Sequence, residues 1–268
     1  MTDTPCIRHH IKANGIAEVT MSRPDIHNAF DDRLIADMIA AFEALAASQE
    51  VRVVVVAGEG KSFSAGADLN WMRRMADYSQ ADNIADARNL AKLLALIAGF
   101  PRPVIARVQG AAFGGGVGLV SACDMAIGAD NALFALSEVK LGLIPAVISP
   151  FVIRAIGERQ ASRFMITGER FDAKEACRIG LLHQVVGEHE LDSAIDRMAT
   201  GLLKNGPDAM RECKALIAAV MNRPIDDAVM DDTSARIARV RASAEGREGL
   251  EAFLEKRPPS WLGRTGSD

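Results

Sequence analysis

The chain has 268 residues, 49% of them hydrophobic and 25% charged, with a formal net charge of −4. That length supports one large domain or a main domain with an appendage, and the composition is ordinary for a globular protein in water. The acidic balance argues against nucleic acid as a partner, and no apolar run approaches the ~20 residues a membrane helix needs. Met1-Thr2-Asp3-Thr4-Pro5 has neither the basic start nor the apolar core of a leader, so the expectation is a cytoplasmic protein.

Ile16 to Met21 alternates weakly and reads as a strand, stopped by Ser22-Arg23-Pro24. Asp31 or Asp32 is placed to cap a helix on which Leu34, Met38, Phe42 and Leu45 recur at helical spacing. Val51 to Val56 is β-branched and nearly continuous, the pattern of a strand buried on both faces. A glycine turn, Ser64-Ala65-Gly66-Ala67-Asp68-Leu69, follows, and then a polar stretch around Tyr78 that could cover a pocket. Ala81 to Ala98 predicts a long helix and Pro101 to Val108 another buried strand. A second glycine turn, Gly110 to Gly116, leads into a helix over Val117 to Cys123. Asp124 to Ala129 and Ala132 to Leu136 are short strands, and from Ser149 onward the pattern is almost wholly helical. Strand–helix alternation with a helical tail predicts an α/β fold of stacked β–α units, with a boundary placed near residue 200.

Four cysteines, Cys6, Cys123, Cys177 and Cys213, lie far apart without metal-ligand spacing, and no metal site is expected. The adjacent His9 and His10 have no evident chemical partners. Gly58-Glu59-Gly60-Lys61-Ser62 ends as a phosphate-cradling loop does, but that motif's first glycine would fall at Val55, inside a strand. Gly114 and Gly116 begin a dinucleotide fingerprint whose third glycine is replaced by Leu119.

Two glycine turns, each between an apolar strand and a helix, could each aim one backbone N–H at the same oxygen, as sites that stabilise charge on a carbonyl do. Taken singly, each is equally a tight turn or a close helix contact. Glu138, at the end of the apolar segment Phe134 to Leu136, reads either as a solvated strand-end acid or as a proton carrier whose pKa an apolar wall would raise.

These residues also resemble the crotonase, or enoyl-CoA hydratase/isomerase, family over nearly the full chain. The likeness rests on Ser64 to Leu69, Val108 to Gly116, Ala122-Cys123-Asp124, Ser137-Glu138-Val139 and Leu141 to Pro145. Thr167 to Arg170, with Ala173, Ala176 and Gly180-Leu181, extends it. Ala146 to Phe151 carries a narrower likeness to bacterial 3-methylglutaconyl-CoA hydratase-like proteins of leucine breakdown. The resemblance implies a crotonase fold, with a ββα core over 1–200 and a helical oligomerisation region over 201–268. It implies an acyl-CoA thioester as substrate, trimers or dimers of trimers, and no cofactor beyond the coenzyme A of the substrate. It places an oxyanion hole at the N–H groups of Ala67 and Gly115, with Glu138 as the acid–base. Ala65, Gly66, Asp68, Leu69 and Gly114 would line the substrate or CoA site. Lys256 and Arg257 would approach the CoA phosphates or adenine, of this subunit or a neighbouring one, the alternative for both being a solvated basic helix end.

One position departs from the family. Hydratases with two glutamates carry the second where this chain has Gly118. The missing side chain would leave volume for a branched or carboxylated acyl group. Paired carboxylates divide base and acid work, so the lone Glu138 leaves hydration favoured on the narrower likeness, double-bond isomerisation as the alternative, and a non-catalytic acyl-CoA binder as a third reading.

Overall fold

Valines at alternate positions of one strand serve two different cores, and this organises the molecule. The structure is a computed structural model that describes residues 5–263; Met1 to Thr4, part of the segment read for a leader, lie outside the described residues. The chain begins with β1 (Ile7–Ile11) and β2 (Ile16–Met21), then α1 (Asp32–Ala47), β3 (Val53–Gly58), α2 (Leu69–Ala76), α3 (Gln80–Ala98) and β4 (Val104–Val108). It continues with β5 (Ala111–Phe113), α4 (Gly115–Ala122), β6 (Met125–Ala129), β7 (Leu133–Ala135), α5 (Ser149–Thr167), β8 (Arg170–Asp172), α6 (Ala173–Arg178) and β9 (Gln184–Val186). Four helices complete it: α7 (Leu191–Leu203), α8 (Pro207–Val220), α9 (Asp227–Ala242) and α10 (Ala244–Leu254).

The main sheet has six strands in the order β1-β2-β3-β4-β6-β9, antiparallel between β1 and β2 and parallel elsewhere. Because strand side chains alternate between faces, Val54 and Val56 enter the large core with Leu34, Phe42 and Leu94. Val53 and Val55 enter a second core with Ile105, Ile127 and the α7 residues Leu191, Ile195 and Leu203. Helices therefore cover both faces of the parallel part, as its unbroken apolar strands require. A second sheet, β5-β7-β8, stands beside it. Asp31 caps α1 by accepting from the Leu34 N–H at 2.8 Å, and Ser79 with Asp82 forms a capping box on α3.

Two details lie beyond the sequence reading. Within the almost wholly helical region after Ser149, β8 and β9, of three residues each, extend the two sheets. Strands that short leave no periodic signal. The segment around His9 and His10 is also a strand; its middle faces solvent at the sheet edge, so the apolar alternation that marks a strand is missing. The boundary near residue 200 falls within α7, which packs on the sheet, whereas α8, α9 and α10 pack on one another. Lys214 of α8 is tied back to the core by its 2.6 Å contact with Asp124. Among the described residues no helix is long and apolar enough to cross a membrane, and no His/Cys/Asp/Glu cluster has metal-site geometry.

Candidate active site

The two glycine turns are built against each other. Ser64 bridges Ala112 in parallel fashion, with the Ser64 N–H donating to Ala111 O and the Phe113 N–H to Ser64 O. A Cβ on Gly66 would stand 3.2 Å from Phe113 O, and one on Gly116 would stand 2.6 Å from Ser64 O. Only backbone fits between the turns, and Gly66 also has a φ of +95°. Behind them, fully buried Asn28 donates from its side chain to Glu59 O and Ser62 O, both at 2.9 Å, and pins the first turn to the chain entering α1.

This packing determines where two N–H groups point. Phe30 bridges Ala67, taking up Gly66 O and the Asp68 N–H. The N–H of Ala67 itself is thereby turned to the opposite side, because successive peptide groups along an extended segment alternate in direction. Gly115 is the first residue of α4, where a helix leaves its N–H groups unpaired and its dipole favours negative charge. Among the described residues neither N–H has an acceptor in the protein. Both residues line one cavity of about 640 Å³.

Glu138 lines the same cavity. It opens a short 3-10 turn, Glu138–Leu141, just after β7, and its carboxylate lies over the second glycine turn: a Cβ on Gly114 would be 3.0 Å from Glu138 Oε1. Its Oε2 is buried with no hydrogen-bond partner. Burial pushes this carboxyl above the ordinary glutamate range, opposed only by a hydrogen bond from its own backbone N–H. The walls are largely apolar: Met72 and Met75 from α2, Leu90 from α3, and Leu143, Val147 and Ile148 from the segment before α5. Trp71, Asn83 and Asp86 contribute the polar atoms on the α2–α3 side.

Ala65, Gly66, Ala67, Gly114, Gly115 and Glu138 thus come together, and five other expected residues do not. Asp68 caps α2, accepting from the Asn70 and Trp71 N–H groups at 2.7 and 3.1 Å, and lies outside the cavity lining. Leu69 is 70% exposed and also outside it. Lys256 is exposed, and Arg257 is ion-paired with Glu248 at 2.8 Å and Glu255 at 2.7 Å, so neither reaches this cavity within the chain. Gly118 needs the plainest correction. It leaves no space for an acyl group, because a Cβ there would overlap Ile148 Cγ2; the side chain of Ile148 fills the place. Tyr78 does not line the cavity, and its hydroxyl meets Arg74 instead.

Sequence reasoning missed the α3 wall, although its signal was present. Asn83, Asp86, Ala87 and Leu90 follow the i, i+3, i+4, i+7 rule and face the cavity together. Ile148 carried no such signal, since its partner is a glycine thirty positions earlier.

Two unpaired amide donors and a half-buried acid with one unpartnered oxygen thus face one largely apolar cavity on a crotonase fold. The chain belongs to the enoyl-CoA hydratase/isomerase family, whose profile matches residues 11–264. An enoyl-CoA hydratase from Shewanella pealeana is 46% identical and superposes with a TM-score of 0.93 over 96% of each chain. An enoyl-CoA hydratase from Mycobacterium smegmatis is 32% identical, with a TM-score of 0.91 over 97% of this chain and 100% of that one. AtuE from Pseudomonas aeruginosa is 33% identical, with a TM-score of 0.91 over 96% of this chain and 99% of that one.

Proposed function

We propose that the protein hydrates the C2=C3 bond of an enoyl-CoA thioester, with Glu138 as the only acid–base. The observation that carries this reading is the shared cavity of the Ala67 N–H, the Gly115 N–H and the unpartnered Glu138 oxygen. The Glu138 carboxylate takes a proton from water, the hydroxide oxygen bonds to C3, and the π electrons move onto the thioester oxygen. The two N–H groups hold that oxyanion; one such donor is worth about 2.7–4 kcal/mol of barrier in enzymes where it has been removed. The protonated Glu138 then returns the proton to C2, the enolate collapses, and the carboxylate is regenerated. One acid suffices because the group that gains the proton in the first half loses it in the second.

A second reading uses the same atoms. Glu138 removes a C2 proton from a 3-enoyl thioester and returns it at C4, moving the double bond without water. The Ile148 side chain in the place of a second acid favours it, because an apolar wall there supplies no second group to orient water. Turnover in H₂¹⁸O separates the two. Hydration puts ¹⁸O on C3 of the product, and isomerisation moves the double bond with no oxygen uptake. Absence of both with crotonyl-CoA, 3-methylglutaconyl-CoA and a 3-enoyl-CoA would leave another acyl-CoA reaction such as hydrolysis, or the non-catalytic binder.

The likeness over Ala146 to Phe151 makes 3-methylglutaconyl-CoA the first carboxylated substrate to assay. The cavity supports an uncharged acyl group instead, for its lining contains no Lys, Arg or His. We also propose self-association, as a trimer or dimer of trimers, through the C-terminal helical region, where Ile225, Phe253 and Leu254 are 91%, 80% and 77% exposed.

A further inference from the structure

The acyl cavity holds one charged side chain that the proposed chemistry leaves unused. Asp86 projects from α3 into the lining beside Asn83, and Trp71 Nε1 donates to its Oδ1 at 3.3 Å. Trp71 is 5% exposed, so this indole fixes the carboxylate on the cavity wall from a buried position. An indole N–H is a donor only, and as Asp86's partner it favours the ionised form. The cation acting on Asp86 from nearby, Arg74, does not line the cavity, and its guanidinium is 2.6 Å from Asp32. An acyl group ending in a carboxylate would therefore meet Asp86 and Glu138 in apolar surroundings with no counter-charge from this lining.

We propose that Asp86, held by Trp71, sets the charge specificity of the acyl pocket: it admits uncharged acyl groups and rejects those that end in a carboxylate. The proposal rests on the acyl-CoA reading above and adds the substrate class. Its physical form is selection by an unfavourable element: the rejected ligand brings a like charge to a fixed one, while an uncharged chain of similar length avoids that repulsion. Burial and the neighbouring Asp32 raise the Asp86 pKa, against the Trp71 hydrogen bond and Arg74, which lower it.

Binding of saturated esters tests the assignment independently of turnover. Full-length protein in its native assembly is titrated with butyryl-CoA and glutaryl-CoA, which share the CoA moiety and differ by a terminal carboxylate carried on C4. Wild-type protein should bind butyryl-CoA at least about tenfold more tightly. Asp86→Asn keeps an acceptor for Trp71 Nε1 and removes the charge, so the butyryl-to-glutaryl affinity ratio should move toward one, chiefly through tighter glutaryl-CoA binding. Asp86→Ser serves the same comparison if the Asn variant does not fold. Equal wild-type affinities, tighter glutaryl-CoA binding, or an unchanged ratio in a folded Asp86 variant would overturn the role of Asp86 alone. If wild-type protein binds neither ester, the acyl-CoA reading fails and takes the proposal with it.

Discussion

Glu138→Gln should nearly abolish turnover and, at the same time, stabilise the protein. The carboxyl has one oxygen buried without a partner, and burial raises its pKa. A group whose folded pKa is raised binds protons more readily in the native state. Its stabilising contribution is fully present below the ordinary carboxylate pKa and is lost as pH rises through the folded value. At pH 8 the wild-type protein therefore carries an unfavourable buried charge. Glutamine removes that charge but keeps a polar group in the same place, so the gain is a fraction of the full cost of an unsatisfied buried group, on the order of 1 kcal/mol. For a chain of this size that corresponds to a Tm increase of about 2 °C. Loss of the general acid–base should lower kcat by about 10²–10⁴-fold. The two effects separate with pH: the Tm difference should be largest at pH 8 and vanish below about pH 4, where the wild-type carboxyl is protonated in both states. Wild-type kcat/KM should fall on the acid side at a higher pH than an ordinary glutamate would give, because the base must be ionised to accept water's proton. Scanning calorimetry of both proteins across this range, with steady-state kinetics beside it, checks each part. A Gln variant that keeps a tenth of wild-type turnover, or one that melts lower at pH 8, would refute the argument.

Gly118→Ala should destabilise the fold by about 1–3 kcal/mol, since its Cβ would overlap Ile148 Cγ2. Ile148→Ala opens that contact, so urea unfolding of the double variant should show less destabilisation than the two single losses added together. Lys214→Met leaves Asp124, whose carboxyl burial already pushes up, without its 2.6 Å partner. The pair is partly exposed, so the loss should be about 1–3 kcal/mol at pH 8, shrinking in acid as Asp124 takes a proton. Hydration by a single acid delivers hydroxyl and proton to the same face of the double bond; product formed in D₂O and analysed by NMR should show syn addition, and an anti product would require a second acid.

The parallel core was legible because its strands are continuous β-branched runs. Val53 to Val56 needs no tertiary information to read as buried on both faces, and the structure divides those four residues between two cores. The convergence of the glycine turns was legible for a similar reason: glycines at 66, 114 and 116 mark places where only backbone fits. What escaped depends on pairs far apart in sequence. That Gly118 is filled rather than open follows from Ile148, which arrives on another segment, and no local pattern connects the two. Arg257, expected near CoA phosphates, stands in ion pairs with Glu248 and Glu255 that its sequence position does not announce. A basic residue's sequence position says nothing about whether its charge is already engaged.

The Gly118–Ile148 contact connects packing to chemistry. α4 is buried along Gly116 to Ala122, so any side chain at 118 must displace what packs there. A carboxylate at 118 would thus require both a smaller residue at 148 and a charge placed next to Leu94, a fully buried core residue. An uncompensated charge in such surroundings is costly unless paired and hydrogen-bonded. With Ile148 in place, the proposed chemistry rests on Glu138, whose Oε2 has no hydrogen-bond partner in the protein. The apolar packing that excludes an acid at position 118 belongs to the same lining that raises the basicity of Glu138, because removing solvent from a carboxylate penalises its charged form. On the proposed reading, one strongly perturbed group is a consistent solution for moving a proton out and back, and the catalytic burden falls on a residue whose ionisation burial opposes.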